Sequence, residues 1–135
     1  MALENAEKLI TDFLINKVTP YVIYLFGSQA TKHIHNESDF DIAYLSKQKL
    51  NHYERFMLAQ ELAAKLNRDV DLIDLEQAST VFQAQVINRG KILLCSNENE
   101  RALFEMRTLK NYARLNEERQ DVLKNITERG RVYEE

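Results

Sequence analysis

Apolar residues recur at three- and four-residue steps from the start of the chain: Leu3, Ala6, Ile10, Phe13, Leu14 and Val18 fall on one face of a helix that stops near Pro20. The pattern then changes. "YVIYLF", 21–26, is a β-branched and aromatic run bounded by Pro20 and Gly27, and predicts a buried strand. After a polar segment, 28–38, "FDIAYL" predicts a second strand. Asn51 followed by Glu54 makes a capping-box arrangement that opens a helix, with Tyr53, Phe56, Met57, Leu62, Ala63 and Leu66 as its expected buried side. "DVDLIDL", 69–75, predicts a third strand; Asp74 with Gln77 forms a further cap pair, from which a helix runs to the stop at Gly90. "KILLC" predicts a fourth strand. From about residue 97 to 129 no Gly or Pro interrupts a helical pattern, in which Ala102, Met106, Leu109 and Ala113 form the stripe expected to dock on the domain. Beyond Leu115 the pattern thins to the polar "NEERQD" and then Val122, Leu123 and Ile126, a far end that is solvated or made for a partner. The order of elements predicts an α/β (α+β) fold: a small mixed sheet of about four strands, helices mainly on one face, and a long C-terminal helix.

Composition narrows the function classes. The chain has 135 residues, 44% hydrophobic and 29% charged, which fits one globular domain. Its 18 basic against 21 acidic residues leave a formal charge of -3, so no general basic field recruits nucleic acid or an anionic membrane, and no strong direct nucleic-acid binding is expected. A single cysteine, Cys95 in the apolar "KILLC", excludes an internal disulfide and reads as a buried thiol in a reducing compartment. No apolar run approaches the roughly 20 residues of a membrane span, and the N-terminus lacks a signal-peptide pattern. A cytoplasmic location is expected.

The chemistry lies in the stretch "LFGSQATKHIHNESDFDIAYL", 25–45. Side chains two apart in a strand point the same way, so Asp39, Asp41 and Ala43 share one face while Phe40, Ile42 and Tyr44 share the other. Two carboxylates roughly 7 Å apart at Cα repel each other unless a cation lies between them. A hard ion such as Mg²⁺, which takes carboxylate and phosphate oxygens, accounts for the placement. Gly27 permits close backbone approach, and Ser28 offers a hydroxyl and backbone N–H groups to an anion. A third carboxylate is expected from the 69–75 strand. Asp71 lies between the core-facing Val70 and Leu72 and projects to the other face; Asp69 shares its parity and is the rival, whereas Asp74 has opposite parity and a capping role.

Gly27-Ser28, then ten residues, then Asp39-Phe40-Asp41, followed by the isolated strand aspartate Asp71, resembles the polymerase-β-type nucleotidyltransferase superfamily. The short length and "DVDLIDLEQASTVFQAQVINRGKILLC" resemble the minimal nucleotidyltransferases (MNT) that act as antitoxins beside HEPN-domain toxins. The likeness covers about residues 20–96, followed by the helix at about 97–129, within a single nucleotidyltransferase domain, 1–135. It implies that Asp39, Asp41 and Asp71 hold two Mg²⁺ ions and carry catalysis, that Gly27 and Ser28 hold the β/γ-phosphates, and that ATP is the substrate. Family members often carry arginines just after the Gly-Ser step. Here those places hold Gln29 and Thr31, which leaves Lys32 as the nearby cation for nucleotide binding. The likeness further implies transfer of AMP to a tyrosine hydroxyl of a cognate HEPN ribonuclease toxin, which is thereby neutralised, within a hetero-complex. Two other functions stay open on the residues alone: nucleotidyl transfer to a small molecule or RNA whose acceptor site a partner supplies, and a non-enzymatic antitoxin that blocks its partner sterically.

Other residues have plainer readings. His33 and His35 lack a third nearby His or Cys and read as loop residues, and His52 as an exposed first-turn residue. Tyr21, Tyr24, Tyr44, Tyr53 and Tyr112 read as core or rim positions.

Overall fold

The computed structural model describes residues 3–27 and 40–133. Helix α1 (Leu3–Val18) buries Ala6, Ile10, Phe13, Leu14 and Val18, the stripe read from the sequence. It ends where Thr19 takes a left-handed backbone (φ 46°) ahead of Pro20, since a residue before proline is disfavoured in the helical region. Strand β1 (Val22–Phe26) then enters the sheet and β2 (Phe40–Leu45) returns antiparallel to it. Helix α2 (His52–Leu66) crosses over to β3 (Val70–Asp74), which lies parallel to β2 at the sheet edge. Helix α3 (Thr80–Arg89) leads to β4 (Lys91–Cys95), antiparallel to β1. The sheet order is β3-β2-β1-β4, and α4 (Glu98–Tyr133) closes the fold. The four-stranded mixed sheet and long C-terminal helix are those expected.

The core is two-sided. Ile23, Leu25, Ile42 and Tyr44 face α1 and α2, whereas Val22, Tyr24, Ala43 and Leu45 pack with Val86 of α3 and Phe104 of α4. The helices are therefore shared between both faces, with the larger cluster under α1 and α2. Cys95 is only partly buried, against the second cluster.

Helix α2 opens as predicted: the Asn51 side chain accepts from Glu54 N at 2.8 Å, and Glu54 Oε1 accepts from Asn51 N at 3.1 Å. Its buried line, however, is Ala59, Leu62 and Leu66, while Tyr53 (70% exposed), Phe56 and Met57 face outward. The helix turns Tyr53 and Met57 to the side opposite that line. Asp74 caps as expected, accepting from Glu76 N at 3.2 Å and Gln77 Nε2 at 2.9 Å. What it caps is a short 3-10 turn, Leu75–Gln77, and not one helix running to Gly90. Ala78 is extended, and Ser79 starts α3 as a second cap, its Oγ accepting from Phe82 N at 3.2 Å.

The clearest departure is on α4. Ala102, Met106, Leu109 and Ala113 face outward, and the helix docks instead through Phe104 and Thr108, 3% and 2% exposed. A polar contact sets this rotation. Tyr24 Oη, at the middle of β1, donates to Glu105 Oε2 at 2.7 Å, and Glu105 is held in turn by Arg101 at 3.2 Å. A hydrogen bond to a charged group contributes about 1.5–3 kcal/mol, and leaving Glu105 turned away from Tyr24 would strand a buried hydroxyl. No helix among the described residues is long and apolar enough to cross a membrane.

Two predictions follow from this seating. Phe104→Ala costs about 3–5 kcal/mol in urea unfolding, whereas Met106→Ala stays within about 0.5 kcal/mol. Burial, reinforced by the Glu105 hydrogen bond, raises the Tyr24 pKa. Unfolded tyrosine ionises near pH 10 while folded Tyr24 stays protonated, so its contribution is complete below that pH and declines above it. Tyr24→Phe therefore flattens the loss of stability between about pH 9.5 and 11, measured by urea titration at each pH.

Candidate functional site

The candidate site forms at the end of the sheet where β1 leaves and β2 and β3 begin. Phe26 of β1 is the register partner of Asp41 in β2, and Asp41 is the register partner of Asp71 in β3. Register partners on adjacent strands project to one face with Cα atoms about 5 Å apart. Phe26, Asp41 and Asp71 thus form a row across three strands, on the face opposite Phe40 and Ile42. Asp41 is partly buried and Asp71 exposed on the edge strand. Within the described residues the Asp71 side chain makes no hydrogen bond or ion pair.

Among the acids of 69–74, Asp71 is the one brought beside Asp41. Asp69 precedes β3, and its carbonyl accepts from Phe40 N at 2.9 Å, which fixes the entry of both strands. Asp74 is 3% exposed and committed to its cap. Gly27 sits against the same row. Its φ of +82° lies in the left-handed region, and a Cβ built there would overlap Asp41 Oδ2. The missing side chain therefore leaves room for a carboxylate, a second use beyond the close phosphate approach expected from sequence. Phe82 of α3 meets Phe26 edge-on, ring centroids 5.3 Å apart at 85°, and walls the row on its β1 side. Sequence reading missed Phe82; an aromatic in the first turn of the helix after β3 was the available signal.

Asp39, Ser28 and Lys32 lie outside the described residues, as do His33 and His35. The described residues hold no group of three His, Cys, Asp or Glu able to bind a metal. What they supply is two carboxylates in register on one face, an all-oxygen donor set that suits a hard divalent cation and offers no soft ligand.

The family profile for polymerase beta nucleotidyltransferases matches residues 8–99. The chain belongs to this nucleotidyltransferase family. Among curated proteins it is 39% identical over 122 residues to the protein adenylyltransferase MntA of Shewanella oneidensis, covering 90% of this chain and 87% of that one. Among solved structures it resembles a chain of a toxin-antitoxin complex with AMP-PNP, with a TM-score of 0.81 and 38% identity over 90% of this chain and 98% of that chain. It also resembles a chain of the tri-AMPylated Shewanella oneidensis HEPN toxin in complex with its MNT antitoxin, with a TM-score of 0.76 and 36% identity over 92% and 98%.

Gly27→Ala tests the close approach. The left-handed backbone alone costs about 1–2 kcal/mol with a Cβ, and the overlap moves the Asp41 carboxylate. Thermal unfolding shows a modest drop while nucleotidyl transfer falls by a much larger factor; equal activity in the variant would refute the packing.

Proposed function

We propose that this chain is a Mg²⁺-dependent protein adenylyltransferase antitoxin that transfers AMP from ATP to a tyrosine hydroxyl of a cognate HEPN ribonuclease toxin and so neutralises it. The observation that carries the proposal is the register pairing of Asp41 with Asp71 beside Gly27; the likeness to MntA and to the AMPylated toxin complex supports the choice of acceptor. The lone cysteine fits a cytoplasmic setting.

Asp39, Asp41 and Asp71 are the residues that would hold a pair of Mg²⁺ ions, and their oxygen-only chemistry fits that ion. Bound Mg²⁺ supplies charge neutralisation for the phosphates and a lowered pKa for the acceptor hydroxyl. Gly27, having no side chain, would let the β/γ-phosphates approach closely, with Ser28 donating from its hydroxyl and Lys32 adding positive charge. The tyrosine oxygen attacks the α-phosphorus, pyrophosphate leaves, and a carboxylate oxygen of Asp71 accepts the hydroxyl proton. Asp71 suits that task because it is exposed on the edge strand, where a protein acceptor reaches it without crossing the sheet. Positioning and charge neutralisation supply most of the rate.

α-Labelled ATP, Mg²⁺ and the cognate HEPN protein should yield label on that protein; label on RNA or on a small molecule would replace this acceptor. Asp41→Asn, Asp71→Asn and Asp39→Asn each remove several kcal/mol of transition-state stabilisation, at about 1.4 kcal/mol per tenfold. The rate falls by on the order of a hundredfold or more, with an unfolding midpoint near that of the wild type. Full silencing of the toxin by all three variants would point to steric neutralisation instead.

A further inference from the structure

The outward stripe of α4 has no cover within the fold. Ala102, Met106, Leu109 and Ala113 recur at steps of four, three and four, lie along one line of the helix, and span about 17 Å. Met106 is 67% exposed, Leu109 40%, and Leu103 beside them 62%. A run of this kind on a helix already seated by its other side has no role in the core, and contiguous exposed apolar surface marks an interaction site.

The charges beside it say what fits. Arg107, Lys110 and Arg114 are all exposed and fall on one flank of the stripe; the other flank carries Glu105, which is tied to Tyr24 and Arg101. Two copies pairing antiparallel through this stripe would set the basic row against itself, a like-charge juxtaposition that is destabilising. Parallel pairing would set the basic row against the flank already turned to the sheet. A second copy is therefore a poor occupant.

We infer that the Leu103–Met106–Leu109 face of α4 docks a helix of the partner protein, one whose apolar stripe is bordered by Asp or Glu side chains that meet Arg107, Lys110 and Arg114. The inference rests on the proposal that this chain acts on a protein partner, and adds where and by what chemistry that partner is held. Rim charges steer and orient the encounter, and the apolar centre carries most of the affinity.

The test is titration calorimetry of the full chain against the HEPN protein proposed as its acceptor. Met106→Glu and, independently, Leu103→Glu should each weaken binding at least tenfold, with unfolding midpoints and ATP binding equal to the wild type, because both side chains are exposed. Arg107→Glu with Lys110→Glu and Arg114→Glu should weaken binding and abolish its decline with added salt. Unchanged affinity in the apolar variants overturns the docking face, as does a wild-type dimer in sedimentation that Met106→Glu dissolves. Binding that follows these expectations without any AMP transfer overturns the enzymatic proposal and leaves the docking face standing. Transfer that is indifferent to all the variants does the reverse.

Discussion

The register of β2 against its two neighbours is the constraint on which the rest of the structure depends. Side chains alternate along a strand with a period of two, so a slip of one residue would carry Asp41 into the cluster of Ile42 and Tyr44 and bring Phe40 and Ile42 out. The register is fixed from both sides. The apolar residues of β2 are sorted between two clusters, and Phe40 N donates to the carbonyl of Asp69 at the mouth of β3. Burying an ionised carboxylate among hydrocarbon costs several kcal/mol, which penalises every alternative pairing. The packing that folds the sheet thus also aligns Phe26, Asp41 and Asp71.

Much of this was legible in the chain. The four strands, the Asn51 capping box and the Asp74 cap follow from alternation and from residue types whose side chains bond local backbone, and the structure has each of them. Parity set Asp71 apart from Asp74 and left Asp69 as its rival; the strand begins only at Val70 and places Asp71 opposite Asp41. Parity could not reveal that Gly27 lies against Asp41, because that contact joins two strands across a turn. Nor could it reveal Phe82, which reaches the row only through the path of α3.

The helical faces show where periodicity stops being informative. A repeat of three and four residues locates a stripe but not the surface that covers it. On α4 two stripes compete: Ala102, Met106, Leu109 and Ala113 are the more regular, yet Phe104 and Thr108 are the ones buried, since Tyr24 needs a partner and Glu105 lies on their side. On α2, Tyr53 and Met57 look like core residues in composition, but the helix meets the sheet through Ala59, Leu62 and Leu66. On α4 a hydrogen bond from the distant strand β1 decided the rotation, and on α2 packing into the sheet-side cluster did.

Helix α4 is 36 residues long, about 54 Å by its rise per residue, and its buried anchors Phe104 and Thr108 lie near one end. Residues 117–127 are exposed on every side, Val122, Leu123 and Ile126 included. Helical hydrogen bonds that gain no packing are barely favourable in water, so the free energy of local opening declines with distance from the anchors. A single element thus runs from firmly held at the sheet to sustained by its own backbone bonds alone over 117–127, a gradient of local stability along one rod.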